Sequence, residues 1–201
     1  MTNYPAPWKL QGYGYILVYR FGTDFADQHA PEFLANKAIP GFGSVMLVNY
    51  QTSNCGPYGE LLVIPGKYRY GQKNKHTISK IYVSSQDSVD NGRTNWGIPK
   101  ELAQFRFETL SDKIEKVTVT SESNDESSPI FEASLKTSSV PFPVSTRLLP
   151  FPLIQHLNGK AFQTTFSGKG TGRFATMTDL SINENAFPDL SCFKPLVIIK
   201  V

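Results

Sequence analysis

Residues 91–105 read NGRTNWGIPKELAQF, and one lysine, Lys100, stands directly behind Pro99 with Trp96, Gly97 and Ile98 before it. A lysine that only has to stay hydrated needs no such neighbours; one meant to lose part of its water does. An unprotonated amine adds to a ketone or aldehyde, but free lysine titrates about three units above neutrality. Apolar burial disfavours the ammonium and lowers that value by up to roughly 3–5 units. Trp96, Ile98 and Pro99 are the residues that could wall off such an amine. The plain alternative is a surface lysine opening a helical turn.

Other stretches that look chemically suggestive are better read as structure. FSGKGTGRF (166–174) sets Gly168, Gly170 and Gly172 beside Lys169 and Arg173 but lacks the GxxxxGK[ST] spacing of a phosphate loop, and predicts a bulged hairpin. GKYRYGQKNKH (66–76) interleaves tyrosines with Lys67, Arg69, Lys73 and Lys75, and predicts a solvated hairpin tip. His29, His76 and His156 have neither HxH nor HxxxH spacing, and Cys55 and Cys192 form no CxxC. No metal or other cofactor is therefore expected, and both cysteines should be reduced and semi-buried.

The elements that must position Lys100 are mostly short strands. Tyr13–Phe21, 43–51, 59–70 and 76–85 are rich in β-branched and aromatic residues, with Gly12 and Gly14 marking a bend. DFADQHAPEFLAN (24–36) predicts one short helix, and SQDSVDNGRTNWG (85–97) a loop with a helical turn across Asp87–Gly92. Further strands are expected at Ala103–Leu110, Ile114–Glu122 and Pro129–Thr137, then at Lys160–Ser181 as one or two long strands, and at 195–201. SNDESS (123–128) reads as a polar hairpin tip. The four prolines of VPFPVSTRLLPFPLIQHL (140–157) argue against a regular strand there and for an ordered wall over the core. The fold class is mainly β (α+β), sandwich or barrel-like, with a few short helices; such folds often hold a small ligand in the interior or mouth.

The 201 residues suit a single domain spanning 1–201, long enough to bury a core and a ligand cavity. With 40% hydrophobic and 18% charged residues and a net charge of +3, the chain reads as globular, with scattered basic residues that do not point to nucleic acid. Neither a signal peptide nor a run of 18 apolar residues stands out, so no membrane association is expected and a cytoplasmic location is the default.

Gly92-Arg93, Pro99-Lys100 and Leu102, read as GRxxxxxPKxL, resemble the acetoacetate decarboxylase superfamily. GPYGELLVIPG (56–66) resembles its strand-edge segment, and PWKLQGYGYILVYRFGTDFAD its opening strand, so the resemblance covers the first half of the chain in order. It implies an antiparallel β-cone or barrel-like core with an internal ligand cavity, the lysine pointing inward, and assembly into a homo-oligomer. It also implies that Lys100 forms a Schiff base and that Glu60 faces it as acid or base. Arg93, Trp96 and Tyr58 are the candidate substrate contacts; for Arg93, a tie from its guanidinium to loop carbonyls is the equal alternative. The departures are specific. The family's decarboxylases carry Pro-Lys-Lys where this chain has Glu101, an arginine where QGYGY (11–15) has none, and an acidic residue where SVMLV (44–48) has none. Without the second cation, activation must come from desolvation, which predicts that Glu101 points away from the amine.

A protonated imine is an electron sink for loss of CO2, loss of a proton or retro-aldol cleavage. The expected activity is a Schiff-base lyase acting on a small-molecule carbonyl substrate, most simply a β-keto acid decarboxylase. Aldol, dehydration, cyclisation or isomerisation chemistry on a larger hydrophobic biosynthetic intermediate is the neighbouring possibility. Loss of the family's auxiliary residues leaves a non-catalytic small-molecule binder as the alternative from another class.

Overall fold

The computed structural model describes residues 2–122, 129–145 and 151–201. Ten strands form one sheet: β1 (Gln11–Tyr19), β3 (Gly43–Thr52), β4 (Tyr58–Ile64), β7 (Lys80–Val83), β8 (Lys100–Leu102), β9 (Gln104–Ser111), β10 (Ile114–Thr120), β11 (Phe131–Ser145), β14 (Lys169–Ile182) and β15 (Val197–Lys200). Their order is β8-β7-β4-β3-β1-β15-β14-β11-β10-β9. The two edge strands, β8 and β9, are separated in sequence by Ala103 alone, so the sheet curls back on itself into a nearly closed barrel. A second sheet, ordered β13-β12-β6-β5-β2, is built from β2 (Ala38–Ile39), β5 (Lys67–Tyr70), β6 (Lys73–His76), β12 (Pro152–Leu157) and β13 (Lys160–Thr165). Among the described residues no helix is long and apolar enough to cross a membrane.

Successive strand residues face opposite sides, and β4 shows the consequence. Leu61 and Val63 join Tyr15, Leu17, Leu47, Val117, Phe131 and Leu135 in the barrel core. Tyr58, Leu62 and Ile64 join Ile78, Ile81, Val89, Ile98 and Leu153 in a second core on the outer face. All seven residues of β4 are buried, which fits its near-continuous apolar run.

Several elements differ from expectation, each for a local reason. The helix expected over 24–36 stops early, giving α1 (Thr23–Gln28) and a 3-10 turn at Glu32–Leu34, because Pro31 offers no N–H and steers the preceding residue out of helical geometry. Pro65-Gly66 divides the strand expected at 59–70 into β4 and β5, on different sheets. GKYRYGQKNKH forms the β5–β6 hairpin around Gly71. FSGKGTGRF is no hairpin: β13 lies in the second sheet and β14 in the first, so residues 166–168 carry the chain between them. β11 runs through Pro141 and Pro143 because β10 pairs with it only as far as Lys136, leaving that edge free of ladder bonds a proline would break. Gly12 and Gly14 lie within β1 beside a register shift at Gln11/Gly12. The hairpin tip placed at 123–128, and residues 146–150 of the proline-rich wall, lie outside the described residues. Both cysteines are free, Cys55 half-buried as expected and Cys192 exposed.

Candidate active site

The stretch expected as a loop with one helical turn is an eleven-residue helix, α2 (Gln86–Trp96). Its polar sequence hides it: the buried face is Ser88, Val89, Asn91 and Gly92, not an apolar stripe. Ser85 caps the start, its hydroxyl accepting from the Ser88 N–H. Gly97 ends it at φ 64°, a left-handed conformation that glycine adopts without a Cβ penalty. Chain then turns through Ile98-Pro99 into β8, which runs parallel to β7. β7, α2 and β8 thus form a βαβ unit whose helix covers the outer face of the sheet.

Strand register brings the two principal residues together. Lys100 lies beside Ile81, Ile81 beside Leu62, and Glu60 is two residues from Leu62 on the same face of β4. Lys100 is only 3% exposed, and its amine donates to Glu60 Oε2 at 3.0 Å and to Ser88 Oγ at 2.9 Å. Its stem passes against Gly92, where a Cβ would stand 2.7 Å from Lys100 Cδ. That explains the glycine of the GRxxxxxPK pattern. Arg93 explains the next position: its Nε and Nη2 donate to the Lys100 carbonyl at 3.0 and 2.6 Å. Of the two readings open for Arg93, the geometry matches the tie to a carbonyl. Glu101 points away, paired with Lys80 at 2.7 Å in a half-exposed position.

Tyr58 lies under the amine, its ring centre 5.1 Å from Lys100 Nζ. Burial pushes the Tyr58 phenol far above the ordinary tyrosine range, with Glu60 and Tyr50 adding to the shift and a hydrogen bond with Ser88 opposing it. Tyr50, 4.9 Å from Tyr58 ring to ring, is likewise raised by burial and then by Glu60. Both phenols therefore remain protonated donors at neutral pH. Trp96 meets Trp8 edge-on at 5.0 Å, and Trp8 sits over Lys100 Nζ at 5.8 Å.

Sequence reasoning passed over Ser88, Tyr50 and Trp8. Trp8 belongs to a strap, residues 2–10, held on α2 by asparagine side chains and not by strand pairing. Asn91 accepts from the Tyr4 N–H at 2.7 Å and donates to the Thr2 carbonyl at 3.0 Å. Asn95 Nδ2 and Trp8 Nε1 both donate to the Tyr4 carbonyl at 2.8 Å, and Asn54 accepts from the Lys9 N–H at 2.8 Å. Two asparagines one helical turn apart, just before Gly-Ile-Pro-Lys, were the available signal.

The lysine does not point into the barrel, as the resemblance implied. Tyr15, Leu17, Leu47, Leu61 and Phe131 fill that interior. The amine occupies the layer between the outer sheet face and α2, and the strap closes it. A cleft of about 670 Å³ lies elsewhere, lined by Phe25, His29, Lys80, Asp189, Cys192 and Phe193 among others, and includes neither Lys100 nor Glu60. Among the described residues no group of three or more His, Cys, Asp or Glu is gathered to hold a metal.

The profile of the acetoacetate decarboxylase family matches residues 2–163. No match appears among curated proteins. The fold is similar to an acetoacetate decarboxylase from Legionella pneumophila subsp. pneumophila, with 13% identity, TM-score 0.68, and 98% of this chain and 84% of that one covered. It is also similar to the enduracididine biosynthesis enzyme MppR complexed with pyruvate (14% identity, TM-score 0.64, 98% and 85% covered). MppR complexed with the condensation product of pyruvate and imidazole 4-carboxaldehyde gives 14% identity and TM-score 0.60, with 98% and 84% covered.

Proposed function

Because the chain belongs to the acetoacetate decarboxylase family, we propose that it is a Schiff-base-forming carbon–carbon lyase whose Lys100 condenses with a small carbonyl substrate. Its simplest form is decarboxylation of a β-keto acid. Substrate and further copies of the chain are its partners on this reading, and the cytoplasm its place of work. The observation that carries it is a lysine 3% exposed whose amine lies 3.0 Å from the carboxylate of Glu60, itself 6% exposed. A buried ion pair with no reactive task is often replaceable, both partners together, by apolar residues at no loss of stability.

The steps follow from the partners. The ammonium gives a proton to Glu60, leaving a neutral amine and a carboxylic acid. Nitrogen adds to the carbonyl carbon and produces a carbinolamine. Glu60 then returns the proton to the carbinolamine hydroxyl, which leaves as water as the C=N bond forms. Glu60 is again a carboxylate, now beside an iminium. In decarboxylation the C–C electron pair of the substrate flows into that iminium, and the resulting enamine takes a proton at carbon.

A second reading, aldol or dehydration chemistry through the same iminium, has its own support. Glu60 already stands at the reacting nitrogen, where a base for an α-proton must be, and Arg93 is committed to the Lys100 carbonyl, not to a substrate carboxylate. MppR, similar in fold, was captured with a condensation product. The test is reductive trapping: incubation with β-keto acids, ketones and aldehydes, then borohydride and peptide mass mapping. An adduct on Lys100, absent in Lys100→Ala, is expected. No adduct with any carbonyl, alongside tight ligand binding, would identify a binding protein instead.

A further inference from the structure

We propose that Ser88 is a catalytic residue of the condensation, relaying a proton from the Lys100 nitrogen to the substrate oxygen. The inference rests on the imine reading and adds to it a group that neither the motif nor the resemblance supplies. Ser88 is fully buried in the first turn of α2, and its hydroxyl stands 2.9 Å from Lys100 Nζ. Glu60 stands 3.0 Å from the same nitrogen. The two partners differ in kind: an ionised carboxylate only accepts, whereas a hydroxyl accepts and donates at once.

That difference matters at one step. When neutral nitrogen adds to the carbonyl, the adduct is a zwitterion with a cationic nitrogen and an alkoxide on the adjacent carbon. Direct transfer between them passes through a strained four-membered ring. Glu60, by then a carboxylic acid, could relay the proton only through a larger, eight-membered ring of N, H, O, C, O, H, O and C that includes its own carboxyl. Ser88 Oγ accepts the N–H proton while its own proton moves to the alkoxide, through a six-membered ring of N, H, Oγ, H, O and C. The serine is regenerated, the adduct becomes a neutral carbinolamine, and Glu60 keeps its proton for the departing hydroxyl. Atoms and charge balance: an ammonium and a carbonyl become an iminium and one water.

Position supports the assignment. The Ser85 cap holds the turn by accepting from the Ser88 N–H at 3.3 Å. The Lys100 amine donates to the Ser88 hydroxyl at 2.9 Å, and the Tyr58 ring lies 5.1 Å from the same nitrogen. A serine needed only for helix formation would not be fully buried facing an amine, since serine is a mediocre residue for a helix interior.

The experiment uses 2,4-pentanedione, which passes through the same carbinolamine to a chromophoric enaminone, followed by stopped-flow absorbance and located by peptide mapping. Wild-type protein should form the adduct on Lys100. Ser88→Ala should slow it by about a hundredfold, the low end of the usual range for a positioned proton-transfer group, and Ser88→Thr should recover most of the rate. Should the alanine variant not fold, Ser88→Cys, close in size but a weak donor, replaces it with the same expectation. An alanine or cysteine variant reacting at the wild-type rate overturns the role of Ser88 alone. No adduct on wild-type Lys100 overturns the imine reading, and this step with it.

Discussion

Glu60→Leu and Lys100→Met, made singly and together, test whether the site is as dry as its geometry says. The two side chains are 8% and 4% exposed and 3.0 Å apart. Removing one partner of a buried pair strands the other's charge, at about 3–5 kcal/mol. Each single variant should lose that much, a fifth or more of the roughly 5–15 kcal/mol that keeps a domain folded. The double variant has no charge to strand and fills the space with apolar atoms, so it should return to wild-type stability or exceed it by about 1–4 kcal/mol. The half-exposed Lys80–Glu101 pair is the internal control, since ion pairs of that kind contribute at most about 1 kcal/mol. Urea unfolding at neutral pH, with midpoints read at a common slope, supplies the four free energies. Singles within about 1 kcal/mol of wild type would place the pair in high dielectric and refute the argument. A double variant that loses the sum of the singles would refute it equally, because its residues would then be acting independently.

Gly92→Ala should lower turnover at least tenfold and cost about 1–3 kcal/mol of stability: helix propensity favours alanine, but the new Cβ overpacks the site, displaces the Lys100 stem and loosens its pairing with Glu60. Steady-state rates beside thermal melts check it. Loosening the strap with Asn91→Ala and Asn95→Ala, or removing its roof with Trp8→Ala, should speed modification of Lys100 by a water-soluble amine reagent at least tenfold; equal rates would show that the strap is not the cover. Burial holds His76 below its ordinary 6.5, against the Gly66 carbonyl and with help from Lys67, so its ring is neutral in the fold and charges more readily when unfolded. Its stabilising contribution is therefore complete above about pH 6.5 and lost as pH falls below that value; urea midpoints from pH 7.5 to 5 should drop less steeply in His76→Gln.

The strands were legible where side chains alternate and turns are marked: YGYILVYRF and GSVMLVNYQ became β1 and β3 within two residues of expectation, while GELLVIPGKYRY began β4 on time but broke at Pro65-Gly66. α2 was not, because periodicity reports apolar faces and this helix buries a serine, an asparagine and a glycine. The same fact hid Ser88, whose role depends on lying one turn from Gly92 over Lys100. Glu60 was legible only through resemblance, since its meeting with Lys100 depends on two strand pairings that local sequence does not fix. Trp8 was unreadable for a related reason: nothing in a nine-residue coil says which helix its backbone will be tied to. β11 shows the opposite failure, prolines taken as breakers at an edge with no second partner to break.

The neighbours of the amine decide how it can become reactive. In the Pro-Lys-Lys pattern a second cation favours the neutral form by repulsion, whereas here Glu101 turns out to Lys80 and the amine meets a carboxylate and a hydroxyl. On the imine reading the proton is therefore transferred, not repelled, and transfer within an ion pair becomes easier as water leaves, because the neutral acid and amine lose less by desolvation than the charged pair does. A strap that excludes water from Lys100 then acts on the chemistry as well as on access. On that reading, closure of the strap over substrate eases the proton transfer from Lys100 to Glu60, and opening it opposes the transfer. Replacing Glu60 by glutamine should accordingly abolish the advantage of closure, so that loosening the strap slows imine formation in the wild type once access is saturated but leaves the glutamine variant unchanged.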